Sequence, residues 1–216
     1  MADRFLIVNA DDLGLSAAVN EGIFAAHEGG IVTSTSLMVL RDTAPAAVEA
    51  LSEHPDLAVG LHLESAFVLG TDMPVKGRTP MEEWRAQLDL FRELVGREPT
   101  HLDSHKHVHE TEPELGTAAE ALAAELGVPL RNRGIHYERR FYGRDAISPE
   151  HLMALIESLP PGWTEIGCHP AAGPVPTSSY DAERQIELAA LRDPGVKNLL
   201  NVSDVQLCSF AHVFGA

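Results

Sequence analysis

Short apolar runs alternate along the chain with longer segments whose apolar residues recur at helical spacing. Phe5-Leu6-Ile7-Val8-Asn9 has the pattern of a strand buried on both faces. Ser16 can cap a helix from Ala17 to about His27, with Val19, Ile23 and Ala26 on one side and Gly29-Gly30 as its stop. Thr33–Leu40 and Leu57–Leu63 predict two further strands, separated by a helix over roughly 44–53. Residues 64–79 carry Gly70, Pro74 and Gly77 without a period and predict a long loop. Pro80 opens a helix to about Val95, with Trp84, Leu88 and Phe91 on its apolar stripe. Beyond it, helices are predicted over Glu112–Leu126, Pro149–Leu159 and about Asp181–Leu191. Strands are predicted over Val128 to about Arg131, Trp163–His169 and Val205–Phe210, while the basic and aromatic stretch 132–148 shows no period.

This alternation, with connections compatible with right-handed crossovers, indicates a parallel α/β sheet. Polar groups fall where strands end: Asp11 and Asp12 after the first, His62 in the third, Asp103 to His109 at the fourth, and His169 at a later one. Four such groups from non-adjacent strands predict a compact or incomplete (β/α) TIM-like barrel, with its active site at the C-terminal ends of the strands. An open doubly wound sheet is the alternative, since it gathers two such groups at its switch point. Without a repeat, low-complexity tract or linker, residues 1–216 read as a single domain of a size that one core supports.

The stretch His101-Leu102-Asp103-Ser104-His105-Lys106-His107-Val108-His109 holds four of the chain's eleven histidines. Imidazole is a common metal ligand and titrates near neutrality. If the strand keeps its period, His101, Asp103, His105 and His107 share a face. So many polar groups on one buried face are costly unless they open into a metal-bearing cleft.

Charge and cysteine content narrow the partners. With 16 basic and 32 acidic side chains the formal charge is −16, which disfavours nucleic acid and anionic membranes and suits a neutral or cationic small substrate. Cys168 and Cys208 predict no disulfide framework and a reducing compartment. The N-terminus runs into the first strand with no basic-then-apolar leader, and no apolar run approaches the ~20 residues of a bilayer span. The expectation is a cytoplasmic protein.

Each motif has a bland reading on its own: Asp11-Asp12 as helix-dipole complement, His62 as a core histidine, Cys168-His169-Pro170 as a turn. A thiol nucleophile at Cys168 is disfavoured, because the strand period points it away from the face of His169. Taken together, an Asp oxygen and two imidazoles can hold a divalent cation. The neighbouring carboxylate can then act as a base on the attacking water, and a separate histidine can protonate the leaving group. Consecutive strand residues point opposite ways, so one Asp should face the cation and the other the far side of the water.

Asn9-Ala10-Asp11-Asp12-Leu13-Gly14, Gly60-Leu61-His62-Leu63, Asp103-Ser104-His105-Lys106-His107-Val108-His109 and Cys168-His169-Pro170 resemble, in order, the motifs of the YdjC-like carbohydrate deacetylases, which include chitooligosaccharide deacetylases. The resemblance implies a barrel-like fold and one divalent metal ion, magnesium or zinc, that serves N-deacetylation of amino sugars. It implies Asp12, His62 and His105 as metal ligands, Asp11 as general base and His169 as general acid; the strand period, which puts His107 on the face of His105, makes His107 a reserve ligand or substrate contact. The chain departs from the family pattern at Glu64-Ser65-Ala66, where an Asn-Leu-Thr-like stretch is common, and at Ala171-Ala172-Gly173, where a Gly follows directly. The expected function is hydrolysis of a linear amide C–N bond, releasing acetate from an acetylated amino sugar or short oligosaccharide. Self-association as a homodimer is left open. Two rival readings are a metal-dependent phosphoesterase, with Arg131, Arg133, Arg139, Arg140 and Arg144 supplying a basic pocket, and a non-catalytic metal-stabilised sugar-binding protein.

Overall fold

The computed structural model describes residues 3–65 and 79–213. Most of the loop expected at 64–79 therefore lies outside the described residues. Strand β1 (Arg4–Leu13) is central, and from Leu6 to Leu13 every residue is buried, as its apolar run predicts. It pairs in parallel with β2 (Ser34–Leu37) on one side and β6 (Gly162–Cys168) on the other. The order continues through β3 (Ala58–Leu63) to β4 (Leu102–Ser104), and from β6 to β5 (His136–Glu138), all parallel. A last strand, β7 (Val205–Cys208), lies along the first half of β1. The sheet curls into an incomplete α/β barrel.

Helices connect these strands as the 3.6-residue pattern requires. The first, α1 (Ala17–Gly29), is capped by Ser16, whose side chain accepts from the Val19 amide. After α2 (Ala44–Ala50) and β3 comes α3 (Pro80–Val95), which opens on a Thr79–Glu82 capping box and closes on left-handed Gly96. Then follow α4 (Val108–Thr111), α5 (Pro113–Leu126), α6 (Pro149–Glu157) and α7 (Asp181–Leu191). A further helix, α8 (Pro194–Val202), has no counterpart in the sequence reading, although Asp193 caps it and Pro194 opens it.

Three other segments differ from expectation. The strand expected at Val128–Arg131 is reduced to a single bridge between Leu102 and Leu130, continued by a bond from the Arg131 amide to the Leu102 carbonyl. β5 lies inside the stretch that shows no period; only three residues long, it gives alternation nothing to register. The His-rich strand stops at Ser104: His105–His107 form a 3-10 turn in which Lys106 and His107 both have φ 54.

The two faces of β1 bury different chemistry. Leu6, Val8 and Ala10 belong to the large apolar core under the helices, whereas Ile7 joins Ile135 and Phe210 in a small separate cluster. Above Ile7 on the same face come Asn9 and Asp11, both buried. Asn9 donates to Ser36 Oγ at 2.7 Å, and Ser36 donates to Asp103 at 2.7 Å. His101 stacks on Phe210 with centroids 3.8 Å apart, and its ring fits only because residue 60 is Gly, where an added Cβ would lie 2.4 Å from the imidazole. The interior of the barrel thus grades from an apolar floor to a polar upper layer that opens into the site.

Candidate active site

A register shift between Ala10 and Leu13, together with φ 71 at Asp12, breaks the alternation at the end of β1. Both carboxylates therefore line the same cavity, of about 700 Å³. Each has different company. Both Asp11 oxygens accept from Arg131 at 2.6 Å, and Asn9 Nδ2 donates to one of them at 2.9 Å. Asp12 Oδ1 lies 3.1 Å from His105 Nδ1 and 3.4 Å from His62 Nε2, while its other oxygen accepts from Arg184 at 2.6 Å. Burial opposes charge on Asp12, but the bonds to His105 and His62 and the Arg184 guanidinium outweigh it and hold the carboxyl well below the usual range.

His62 sits near the end of β3 with Nδ1 2.8 Å from Asp103 Oδ1. That carboxylate orients the ring and turns Nε2 toward Asp12, the arrangement that supports metal-bound imidazoles. Asp12, His62 and His105 each offer a ligand atom, and these atoms lie within 4.8 Å of one another. One carboxylate oxygen and two imidazole nitrogens are a fitting donor set for a divalent cation with open positions. A second grouping, Asp11, His62 and Asp103, is equally compact. It fits a cation poorly, because Arg131 already lies against Asp11 and Asp103 and Asp103 also holds His62 Nδ1.

Arg131 is fully buried and meets three carboxylates: Asp11, Asp103 at 2.9 Å and Glu165 at 2.7 Å. Burial raises Asp11, but the Arg131 guanidinium more than offsets it, and the net effect is a lowered, ionised carboxyl. Across the cavity, His169 follows β6 with Nε2 3.8 Å from Asp11 Oδ2. Burial pulls its imidazole below the ordinary value, against the pull of Asp11 and Asp12. Glu187 on α7 is wholly buried, accepts from the His169 amide, and lies 4.0 Å from His169 Nδ1, which has no hydrogen-bond partner among the described residues. Burial pushes the Glu187 carboxyl up to about 7. Tyr180 donates to Glu187 at 2.6 Å, and Tyr180 and Tyr142 turn their rings edge-on to His169.

The expected site residues Asp11, Asp12, His62, His105 and His169 all line this one cavity. His107 lines it too, against Tyr137 with ring centroids 5.2 Å apart, and burial takes its imidazole down to about 4. The shared strand face does not extend past Asp103. His101 packs on the floor, and His109 bonds back to Ser104 at 2.6 Å and the Arg131 carbonyl at 3.3 Å. Cys168 is fully buried, donates to the Asn9 carbonyl at 3.4 Å, and burial raises its thiol well above the ordinary value. Of the five arginines offered for a basic pocket, Arg139 lines the cavity, and each of the five is paired with a carboxylate. Arg131 serves Asp11, while Arg133, Arg139, Arg140 and Arg144 pair with Glu120, Glu110, Glu138 and Glu183. Arg184, Glu187 and Tyr180 were not expected at the site. They lie on or beside α7, and an amphipathic helix pattern carries no mark of which polar residue turns inward.

The YdjC-like protein family matches residues 5–66 and 74–202 of this chain. A protein named carbohydrate deacetylase from Geobacillus stearothermophilus is 34% identical, with 98% of each chain covered. Another of that name from Vibrio parahaemolyticus is 35% identical, with 90% of each covered. Among solved structures, an Enterococcus faecalis V583 protein superposes with a TM-score of 0.84 at 27% identity, covering 98% of this chain and 99% of that one. A family 4 carbohydrate esterase from Streptomyces lividans has a TM-score of 0.61 at 14% identity over 97% of this chain and 93% of its own, a likeness of fold alone. Matched along nearly its whole length, in sequence and in barrel, the chain belongs to the YdjC-like protein family.

Proposed function

We propose that this chain is a carbohydrate deacetylase, a hydrolase that cleaves the N-acetyl amide of an amino sugar to give acetate and a free amine. The observation that carries this reading is the convergence of Asp12, His62 and His105 beside an ionised Asp11, with His169 across the same cavity. The relatives named carbohydrate deacetylase support it. Asp12, His62 and His105 would hold one divalent ion, magnesium or zinc. When bound, that ion would polarise the amide carbonyl and make the attacking water more acidic.

The chain's own residues do the rest. Arg131 and Asn9 fix Asp11 in one orientation and keep it ionised, so it accepts the proton of the attacking water. An Asp with a lowered pKa is a weak base, which suits a water acidified in place. His169 gives a proton to the departing amine; its burial makes the imidazolium a stronger acid. The 3.8 Å between Asp11 Oδ2 and His169 Nε2 offers the route by which the proton taken from water is returned. Glu187 and Tyr180 hold the histidine at its backbone and flank its ring.

We further read residues 1–216 as one domain and the protein as cytoplasmic, which its free cysteines support. Among the described residues no helix is long and apolar enough to cross a membrane. The test is acetate release from a panel of N-acetylated sugars with chelator and with added magnesium or zinc, alongside elemental analysis. Release that depends on about one divalent ion per chain is expected; release unaffected by chelation, or two or three tightly held ions, would contradict this account.

A further inference from the structure

The cavity wall beyond His105 holds a histidine that the reaction leaves unused. Lys106 and His107 both sit at φ 54, a backbone that L-residues adopt at a cost and that persists where the surroundings fix it. The turn carries the His107 ring onto Tyr137 of β5, with centroids 5.2 Å apart. Since β4 and β5 end the strand order on opposite sides, this contact stands where the two edges of the sheet approach each other, while Asp11 and Asp12 leave central β1. Nδ1 of His107 is buried, has no hydrogen-bond partner among the described residues, and lies 3.6 Å from Glu110 Oε1, which is buried and unpartnered in the same way. The other Glu110 oxygen is already taken, accepting from Arg139 and, at 3.3 Å, from Asn132. His109 Nε2 is nearly as close to Oε1, at 3.8 Å, but it donates to the Arg131 carbonyl at 3.3 Å. Its Nδ1 accepts from the Ser104 hydroxyl at 2.6 Å, so His109 has no proton left for Glu110.

A neutral imidazole carries one proton, and the Glu110 carboxylate draws that of His107 to Nδ1. Nε2 keeps its lone pair, has no protein partner among the described residues, and belongs to a side chain, 29% exposed, that lines the cavity. It is an acceptor set in place before any ligand arrives, so little ordering cost remains on binding. The amide carbonyl belongs at the cluster of Asp12, His62 and His105 and its nitrogen toward His169. An acceptor two residues beyond His105 therefore meets the next group along the sugar ring. In a 2-acetamido pyranose that group is the oxygen at C1 or at C3, and C1 is the position a glycosidic linkage occupies. We propose that His107, oriented by Glu110, accepts a hydrogen bond from the C3 hydroxyl of the reacting sugar. This residue then selects sugars with a free hydroxyl there over those that lack it or carry an ether on that oxygen. The proposal rests on the deacetylase reading for which group the neighbouring ligand cluster holds.

Calorimetric titration of the metal-loaded protein with glucosamine, 3-deoxyglucosamine and 3-O-methylglucosamine tests it. None has an acetyl group to lose, and the amine common to all cancels in their ratios. Glucosamine should bind about tenfold more tightly than either analogue. His107→Asn, which tolerates the left-handed backbone but ends short of the Nε2 position, should bring all of them within about twofold. His107→Phe, which keeps a ring against Tyr137, should do the same. Nitrogen-15 NMR of the unaltered protein should find the His107 proton on Nδ1. Failure to bind glucosamine, equal binding of the three sugars by the unaltered protein, an undiminished preference in both variants, or the proton on Nε2 would overturn the proposal. Acetate release from N-acetylglucosamine and its β-1,4-linked disaccharide, measured in parallel, separates the two readings. No release with a His107-dependent preference leaves the contact standing and removes the deacetylase; release with a His107-independent preference does the reverse.

Discussion

Asp11 and Asp12 are adjacent in sequence, and yet Arg131 takes both oxygens of the first, while the second gives one oxygen to Arg184 and turns the other to two imidazoles. Strand alternation alone would send them to opposite sides. The register shift and the left-handed Asp12 send both into the cavity, with strain at a position where L-residues rarely sit. His169 is the third residue of this group, and its role is separable because it stands outside the three-ligand cluster. His169→Ala should keep its affinity for the divalent cation and lose turnover by roughly 10²–10⁴-fold, as for other general acids. Calorimetric cation binding beside acetate release checks this; loss of cation affinity would make His169 a ligand.

At the scale of elements, Arg131 is the knot. It leaves a short bridged segment beside β4 and bonds to carboxylates on β1, β4 and β6. Replacing it with Leu leaves Asp11, Asp103 and Glu165 buried without their counter-charge, a loss of about 3–5 kcal/mol. Urea unfolding of Arg131→Leu should show the drop, and an unchanged midpoint would mean that the carboxylates find other partners. The sequence shows β1, α3 and α7 clearly because each is long enough for its period, or its cap, to register. It shows the His-rich segment less well. Alternation predicts a continuing strand, but the backbone turns left-handed at Lys106 and His107, and neither residue type announces that. The first contributors to the site are legible as strand-end polar residues. Arg131, Arg184 and Glu187 are not, because a charge that is buried by tertiary pairing looks in sequence like any solvated charge.

At the scale of the whole molecule, two of the wholly buried acids, Glu165 and Glu187, are pushed by burial up to about 7. The folded chain favours their protonated forms. Their contribution to stability is therefore complete below the ordinary value of 4.5 and is lost as pH rises through about 7. Unfolding midpoints at about pH 5 and about pH 8 should fall across this interval, and Glu187→Gln should flatten part of the fall. An equally steep fall in that variant would assign the pH dependence to other groups.

The central claim is a division of labour between two neighbouring carboxylates, Asp12 for the cation and Asp11 for the proton. Acetate release from an N-acetylated sugar, followed against divalent cation concentration in Asp12→Asn and Asp11→Asn, tests it most directly. In Asp12→Asn an anionic ligand is gone, so activity should be low at ordinary cation levels and partly restored by excess. In Asp11→Asn the cation still binds but no carboxylate takes the proton, so activity should stay low at every concentration. Rescue of Asp11→Asn by excess cation with none in Asp12→Asn would reverse the two roles, and full activity in both would contradict the mechanism.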